Sequence, residues 1–158
     1  MTFYLFNIKF NTTNLVAQEN RNMLKLAKSV EYAILALKYI SESPSGHYPS
    51  AREISERENI PYTLLAKILQ NLVRKKILES VQGNRGGYNL IVDKEDLNLF
   101  RLANSLEQKI QVTECMVENA TTDDCGRVET CCIRPPILNL QKRLENVFIE
   151  TTLNDLIN

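Results

Sequence analysis

Between Ser43 and Tyr88 the chain is broken at three places that forbid any long element: Pro44 and Gly46 in SPSGH, Pro61 after Ile60, and the run Gly83-Asn84-Arg85-Gly86-Gly87. Proline removes a backbone donor and glycine accommodates turns, so each site ends one element and starts another. Upstream of the first break, Leu26, Val30, Ala33, Ile34, Leu37 and Ile40 recur at three- and four-residue steps, the stripe of an amphipathic helix. After it, Ser50-Ala51-Arg52-Glu53 predicts a capping box opening a short helix that ends near Asn59. Pro61 suits a first helical turn, and Leu64, Leu65, Ile68, Leu69, Leu72, Val73 and Ile77 predict a longer third helix. The glycine run lies inside ILESVQGNRGGYNLIV, between two stretches rich in Leu, Val, Ile and Tyr, and predicts a two-stranded hairpin.

Beyond the hairpin, Asp93 and Asp96 are candidate caps for a helix carrying Leu97, Phe100, Ala103, Leu106 and Ile110. After Pro135-Pro136, residues Ile137, Leu140, Leu144, Val147 and Thr151 step as a helix does when it packs along one seam. The expected fold is therefore mainly α with a small β-hairpin (α+β): a winged helix-turn-helix domain followed by a long C-terminal dimerisation helix. Residues 23–92 form the winged domain, 93–112 a connecting helix, 113–132 a cysteine-rich loop, and 133–158 the dimerisation helix and C-terminal segment. Met23 is a candidate start, which makes residues 1–22 an N-terminal tail, either loosely ordered or upstream of the native protein.

A chain of 158 residues has room for one core with an added oligomerisation element. Its 19 basic and 19 acidic residues cancel, so any polyanionic partner must be met locally. Such a patch exists: from Pro61 to Gly87, Lys67, Arg74, Lys75, Lys76 and Arg85 face the single anion Glu79, a net +4. Three helices followed by a glycine-tipped wing are the order in which a third helix enters the DNA major groove. Tyr62, Thr63 and Lys67, in its first turns, lie in the portion expected to reach base edges, Lys67 pairing with guanine or a phosphate, and Arg74, Lys75 and Lys76 are expected at the phosphate backbone. Arg85 at the wing tip is expected in a minor groove. Ser50, Asn71, Gln82 and Asn84 complete the predicted contacts with double-stranded DNA. Taken singly, each of these residues reads as an ordinary solvated face; the order of elements gives them meaning together.

The opening MTFYLFNIKF has no basic residue before its apolar part, and no later run approaches a membrane span, so no membrane is expected and the cytoplasm is. Thiols stay reduced there, which bears on Cys115, Cys125, Cys131 and Cys132. They are all the cysteines of the chain, and residues 114–132 also hold five carboxylates against Arg127. That acidic setting would keep protons on sulfur and disfavours a nucleophilic thiol. A bound cation reverses the argument, because it deprotonates its own ligands. Zinc sites usually show close cysteine pairs; gaps of nine residues, five residues and none suit a larger guest, an iron-sulfur cluster wrapped by a loop. No catalytic constellation is visible, and His47 sits alone in a turn, so no enzyme is expected. A protein-binding adaptor and a vicinal-dithiol redox enzyme built on Cys131-Cys132 are the rival classes.

From Met23 to Asn158 the chain resembles the family of bacterial winged-helix regulators that includes IscR, NsrR and CymR. The matching stretches are LKLAKSVEYAILAL, AREISERENIPYTLLAKILQNLVRKKIL, ESVQGNRGGYNL and the terminal FIETTLNDLIN. The resemblance implies a homodimer formed through the helix after the loop, and a 2Fe-2S or 4Fe-4S cluster held by three cysteines. Cys125 and Cys131 reproduce the closing pair and Cys115 takes the place of the first cysteine, although its nine-residue gap is longer than usual and Cys132 is additional. Some members complete the set with a histidine just beyond the last cysteine, which IRPP lacks. Others use an acidic residue on the partner's first helix, the position of Glu31 in SVEYA; Glu31 reads equally well as an exposed helix carboxylate. Cys132 could stand in for Cys131 or Glu31. Members without a cluster imply the alternative: the same regulator controlled by thiol oxidation or by a protein partner from iron-sulfur or cysteine metabolism.

Overall fold

The first apolar stripe folds as helix α1 (Lys28–Ser41), burying Val30, Ala33, Leu37 and Ile40. These elements belong to a computed structural model that describes residues 25–83, 86–116 and 119–158; the tail 1–22, Met23, Asn84 and Arg85 lie outside them. Leu26 shares the stripe but precedes the helix, because Ala27 is extended at φ −61°, ψ 140°. The predicted capping box opens α2 (Ala51–Arg57): Ser50 Oγ accepts from the Glu53 amide at 3.2 Å, and Glu53 Oε2 accepts from the Ser50 amide at 3.4 Å. Helix α3 (Tyr62–Arg74) follows Pro61 and buries Leu65, Ile68, Leu69 and Leu72. Ile77 is buried but not helical; Lys76 takes φ 55° and turns the chain into strand β1 (Leu78–Val81).

Strand β2 (Gly87–Leu90) pairs antiparallel with β1, Leu78 opposite Leu90 and Val81 opposite Gly87. Helix α4 occupies only Leu99–Ser105, and its cap is Asn98, whose Oδ1 accepts from the Arg101 amide at 2.8 Å. Neither Asp93 nor Asp96, the caps expected from the sequence, fills that position: Asp93 accepts instead from the Glu95 amide, in the turn before the helix. Nor does α4 reach Ile110, since Glu107 takes φ 59° and ends it. A 3₁₀ turn at Glu114–Met116 leads into the cysteine loop.

Helix α5 (Arg134–Glu150) begins with Pro135 and Pro136 in its first turn, where their missing donors cost nothing. A second capping box, Thr152 with Asp155, opens α6 (Leu153–Ile157). The Leu153 amide donates to the Leu97 carbonyl at 2.7 Å and the Leu99 amide to the Thr151 carbonyl at 2.8 Å, so the C-terminus is stitched back onto the start of α4. Leu153 and Ile157 then join the core formed by α1, α2, α3, β1 and α4. Helix α5 packs on α4 and sets Phe148 against this core; its one buried residue is Gln141, while Leu140, Val147 and Ile149 are exposed. Among the described residues no helix is long and apolar enough to cross a membrane.

Candidate functional site

With one face of α3 committed to the core, the opposite face presents Thr63, Lys67, Gln70 and Arg74, all exposed and spaced four, three and four residues apart. Tyr62 begins the helix with about half of its surface exposed. The wing's Tyr88 lies near it: burial first, and then the neighbouring Tyr62, push the Tyr88 hydroxyl above its ordinary value. Lys67, Lys75 and Gln82 are exposed, as their predicted role requires. Ser50 is half-buried and its oxygen is occupied by the Glu53 amide, which leaves the hydroxyl proton for another acceptor. Arg74 Nη2 donates to Asn71 Oδ1 at 2.9 Å and lies 3.5 Å from Glu107 Oε1, so Asn71 serves first to orient Arg74. Both members of the Arg74–Glu107 pair are well exposed, and such pairs contribute little to stability. Asn84 and Arg85 fall outside the described residues.

Two features escaped the sequence reading. Gln70 belongs to the exposed face, and its seven-residue step from Thr63 is two full turns, a signal that was available. His47 is not solitary: its Nε2 lies 2.8 Å from Glu53 Oε1, which also accepts from the Tyr39 hydroxyl at 3.0 Å. The hydrogen bond to His47, followed by those from Tyr39 and the Ser50 amide, holds the Glu53 carboxyl below the ordinary value of 4.5.

All four cysteines are free thiols; Cys115, Cys125 and Cys131 are half-buried and Cys132 is exposed. Cys115 Sγ lies 3.3 Å from Thr113 Oγ1. The Thr121 amide and hydroxyl both donate to Asp124 Oδ2, at 2.8 and 3.1 Å, which keeps that carboxyl below its usual value and shapes the turn leading to Cys125. Buried Val128 anchors the next turn, its amide donating to the Cys125 carbonyl at 2.9 Å. Glu31, on the first turn of α1, is paired with Lys28. Among the described residues no three His, Cys, Asp or Glu side chains gather into a group able to hold a metal ion. The donor chemistry nevertheless suits an iron-sulfur group: soft thiols on one loop, with the Arg134 Nε buried and without a partner among the described residues where α5 begins.

A family model described as Rrf2, iron-dependent transcriptional regulator, matches residues 26–158. The chain is similar to the HTH-type transcriptional regulator NsrR of Shouchella clausii, 22% identical over 134 residues that cover 85% of this chain and 89% of that one. It also superimposes on CymR, the global cysteine regulator of Bacillus subtilis, with a TM-score of 0.65 and 20% identity, covering 85% of this chain and 97% of that one. Against the IscR of T. potens the TM-score is 0.64 at 19% identity, with 85% and 86% covered. These likenesses establish the winged-helix fold.

Proposed function

Because the chain belongs to the Rrf2 family of transcription regulators, we propose that it acts as a homodimer that reads double-stranded DNA with α3 and the wing and reports the state of its cysteine loop. It is a regulator and not an enzyme. The observation that carries the reading is the outward face of α3, where Thr63, Lys67, Gln70 and Arg74 stand clear of the core beside an anchored hairpin. Two copies related by a twofold axis would lay two such helices in successive major-groove half-sites. Lys67, Arg74 and Lys75 then neutralise phosphates, with Arg85 and Asn84 at the wing tip, while Thr63 and Tyr62 approach base edges.

On the sensing side, Cys115, Cys125 and Cys131 would hold an iron-sulfur cluster in the cytoplasm, with Cys132 or Glu31 of a second copy completing the set. When bound, such a group supplies an oxidant- and nitric-oxide-labile centre. Because no three such ligands converge among the described residues of one chain, the cluster would need the loop to close or a second copy to contribute. Arg134 supports the assignment, as its Nε, buried and without a partner among the described residues, would gain an acceptor from sulfur-bearing anions in the loop. A second reading draws on the same lack of convergence together with adjacent Cys131 and Cys132: oxidation of the loop thiols, or a protein partner from iron-sulfur or cysteine metabolism, controls the same regulator without a cluster.

The two separate cleanly. Anaerobically purified protein should carry iron and acid-labile sulfide and absorb in the visible, and Cys125→Ala or Cys131→Ala should bleach it. Colourless wild-type protein that still binds DNA, with an affinity that changes on thiol oxidation, would move the assignment to the second reading.

A further inference from the structure

Gln141 is the one residue of α5 that is buried, and it is polar. Its carboxamide is fully used: Oε1 accepts from the Val112 amide at 2.9 Å, and Nε2 donates to the Ile110 carbonyl at 2.6 Å and to Glu145 Oε1 at 2.7 Å. Bonding to residues on either side of Gln111 is how one residue of a parallel strand grips its neighbour, so this side chain acts as a one-residue strand across the 110–112 segment. An apolar side chain of the same length would fill the space without taking polar atoms out of water. What the carboxamide adds is register, because only this placement of α5 satisfies both backbone groups.

The gripped segment leads directly to the first cysteine. Gln111, bracketed by the two bonds, donates through Nε2 to the carbonyls of Thr113 at 2.8 Å and Glu114 at 3.0 Å. Those residues enter the 3₁₀ turn that contains Cys115, whose sulfur lies 3.3 Å from Thr113 Oγ1. A path of hydrogen bonds and the short backbone between them therefore joins the seat of Cys115 to the middle of α5, with 25 residues of sequence in between. We propose that Gln141 is the positioning residue that makes the cysteine loop and α5 move together, so that a change at Cys115 alters the seat of α5 rather than being absorbed in the loop. The proposal rests on the reading of the loop as the sensor and of α5 as the dimer helix.

Gln141→Met keeps the volume and removes all three bonds, and Gln141→Glu keeps the acceptor for the Val112 amide while losing the donor. The measurement is the ratio of operator affinities with and without reconstitution by ferrous iron and sulfide. Allosteric ratios of this kind run from about 5- to 150-fold. In the wild type the ratio should fall in that range; in Gln141→Met it should collapse to within about twofold of one while the unloaded protein binds DNA as the wild type does, and Gln141→Glu should be intermediate. A wild-type ratio retained in Gln141→Met overturns the latch and leaves the sensor reading intact. A ratio of one in the iron-loaded wild type overturns the sensor reading and the latch with it. Hydrogen exchange on the unmodified chain guards against a variant that fails to fold: the Val112 amide should share the protection of the α5 amides and change with them on loading, and free exchange at Val112 beside a protected α5 would also overturn the latch.

Discussion

At Gly87 the reason for glycine is space rather than backbone angle. A Cβ there would run into the carbonyl oxygens of Tyr48 and Pro49, which are backbone atoms that cannot rotate away. The Pro49 carbonyl accepts from the Tyr88 amide at 3.0 Å, so the wing is pressed onto the turn that supplies the Ser50 cap of α2. One missing methyl group thereby fixes the wing relative to the helix-turn-helix. Gly87→Ala should cost about 1–3 kcal/mol in urea unfolding, the usual range for overpacking, and should weaken operator binding in the surviving folded fraction. Gly126→Ala is the control, with nothing near its Cβ direction; it should stay within about 0.5 kcal/mol of the wild type. The glycine run announces a hairpin in the sequence, but this close approach is invisible there, because the carbonyls it meets lie almost forty residues upstream.

Among the elements, legibility follows locality. The Ser50–Glu53 box, the breaks at Pro44 and Pro61 and the hairpin were readable because each signal is contained within a few residues and the structure honours it. The end of α4 was not readable: Ile110 continues the apolar step, yet the chain leaves the helix at Glu107 and is held in another conformation by Gln141, thirty-one residues away. Ile77 misled in the same way, since an apolar position that continues a helical period can be buried just as well at the start of a strand. The exposed face of α3 was half legible: charge pointed to Lys67 and Arg74, whereas Gln70 carries none. That difference predicts distinct phenotypes. Lys67→Ala should weaken binding to all sequences alike and lower the slope of log affinity against log salt by about one. Gln70→Ala should leave the slope unchanged and reduce discrimination between operator and mutated operator by about 1–3 kcal/mol. Fluorescence anisotropy over a salt series, with operator and scrambled duplexes, reads both.

In the whole molecule, α5 packs on α4 and sets Phe148 against the core, with Gln141 its one buried residue, and it leaves much of its apolar surface open. Ile133 just before it and Leu140 and Val147 along it are spaced seven residues apart, and each is roughly half exposed. A seven-residue repeat of apolar side chains on one helix is the pattern of a seam that packs against another helix, and a symmetric dimer needs only the same stripe on a second copy. Leu140→Asp combined with Val147→Asp places two charges in that seam. Neither residue belongs to the core cluster that joins α1, α3 and α6, so the winged domain should keep its unfolding transition. Sedimentation should show a monomer, and affinity for a two-half-site operator should fall to that for a single half-site. If the doubly substituted protein remains a dimer, α5 is not the interface. The path from Cys115 through Gln141 would then end on a free helix face, so the oligomeric state decides whether a signal that reaches α5 can change the spacing of two recognition helices.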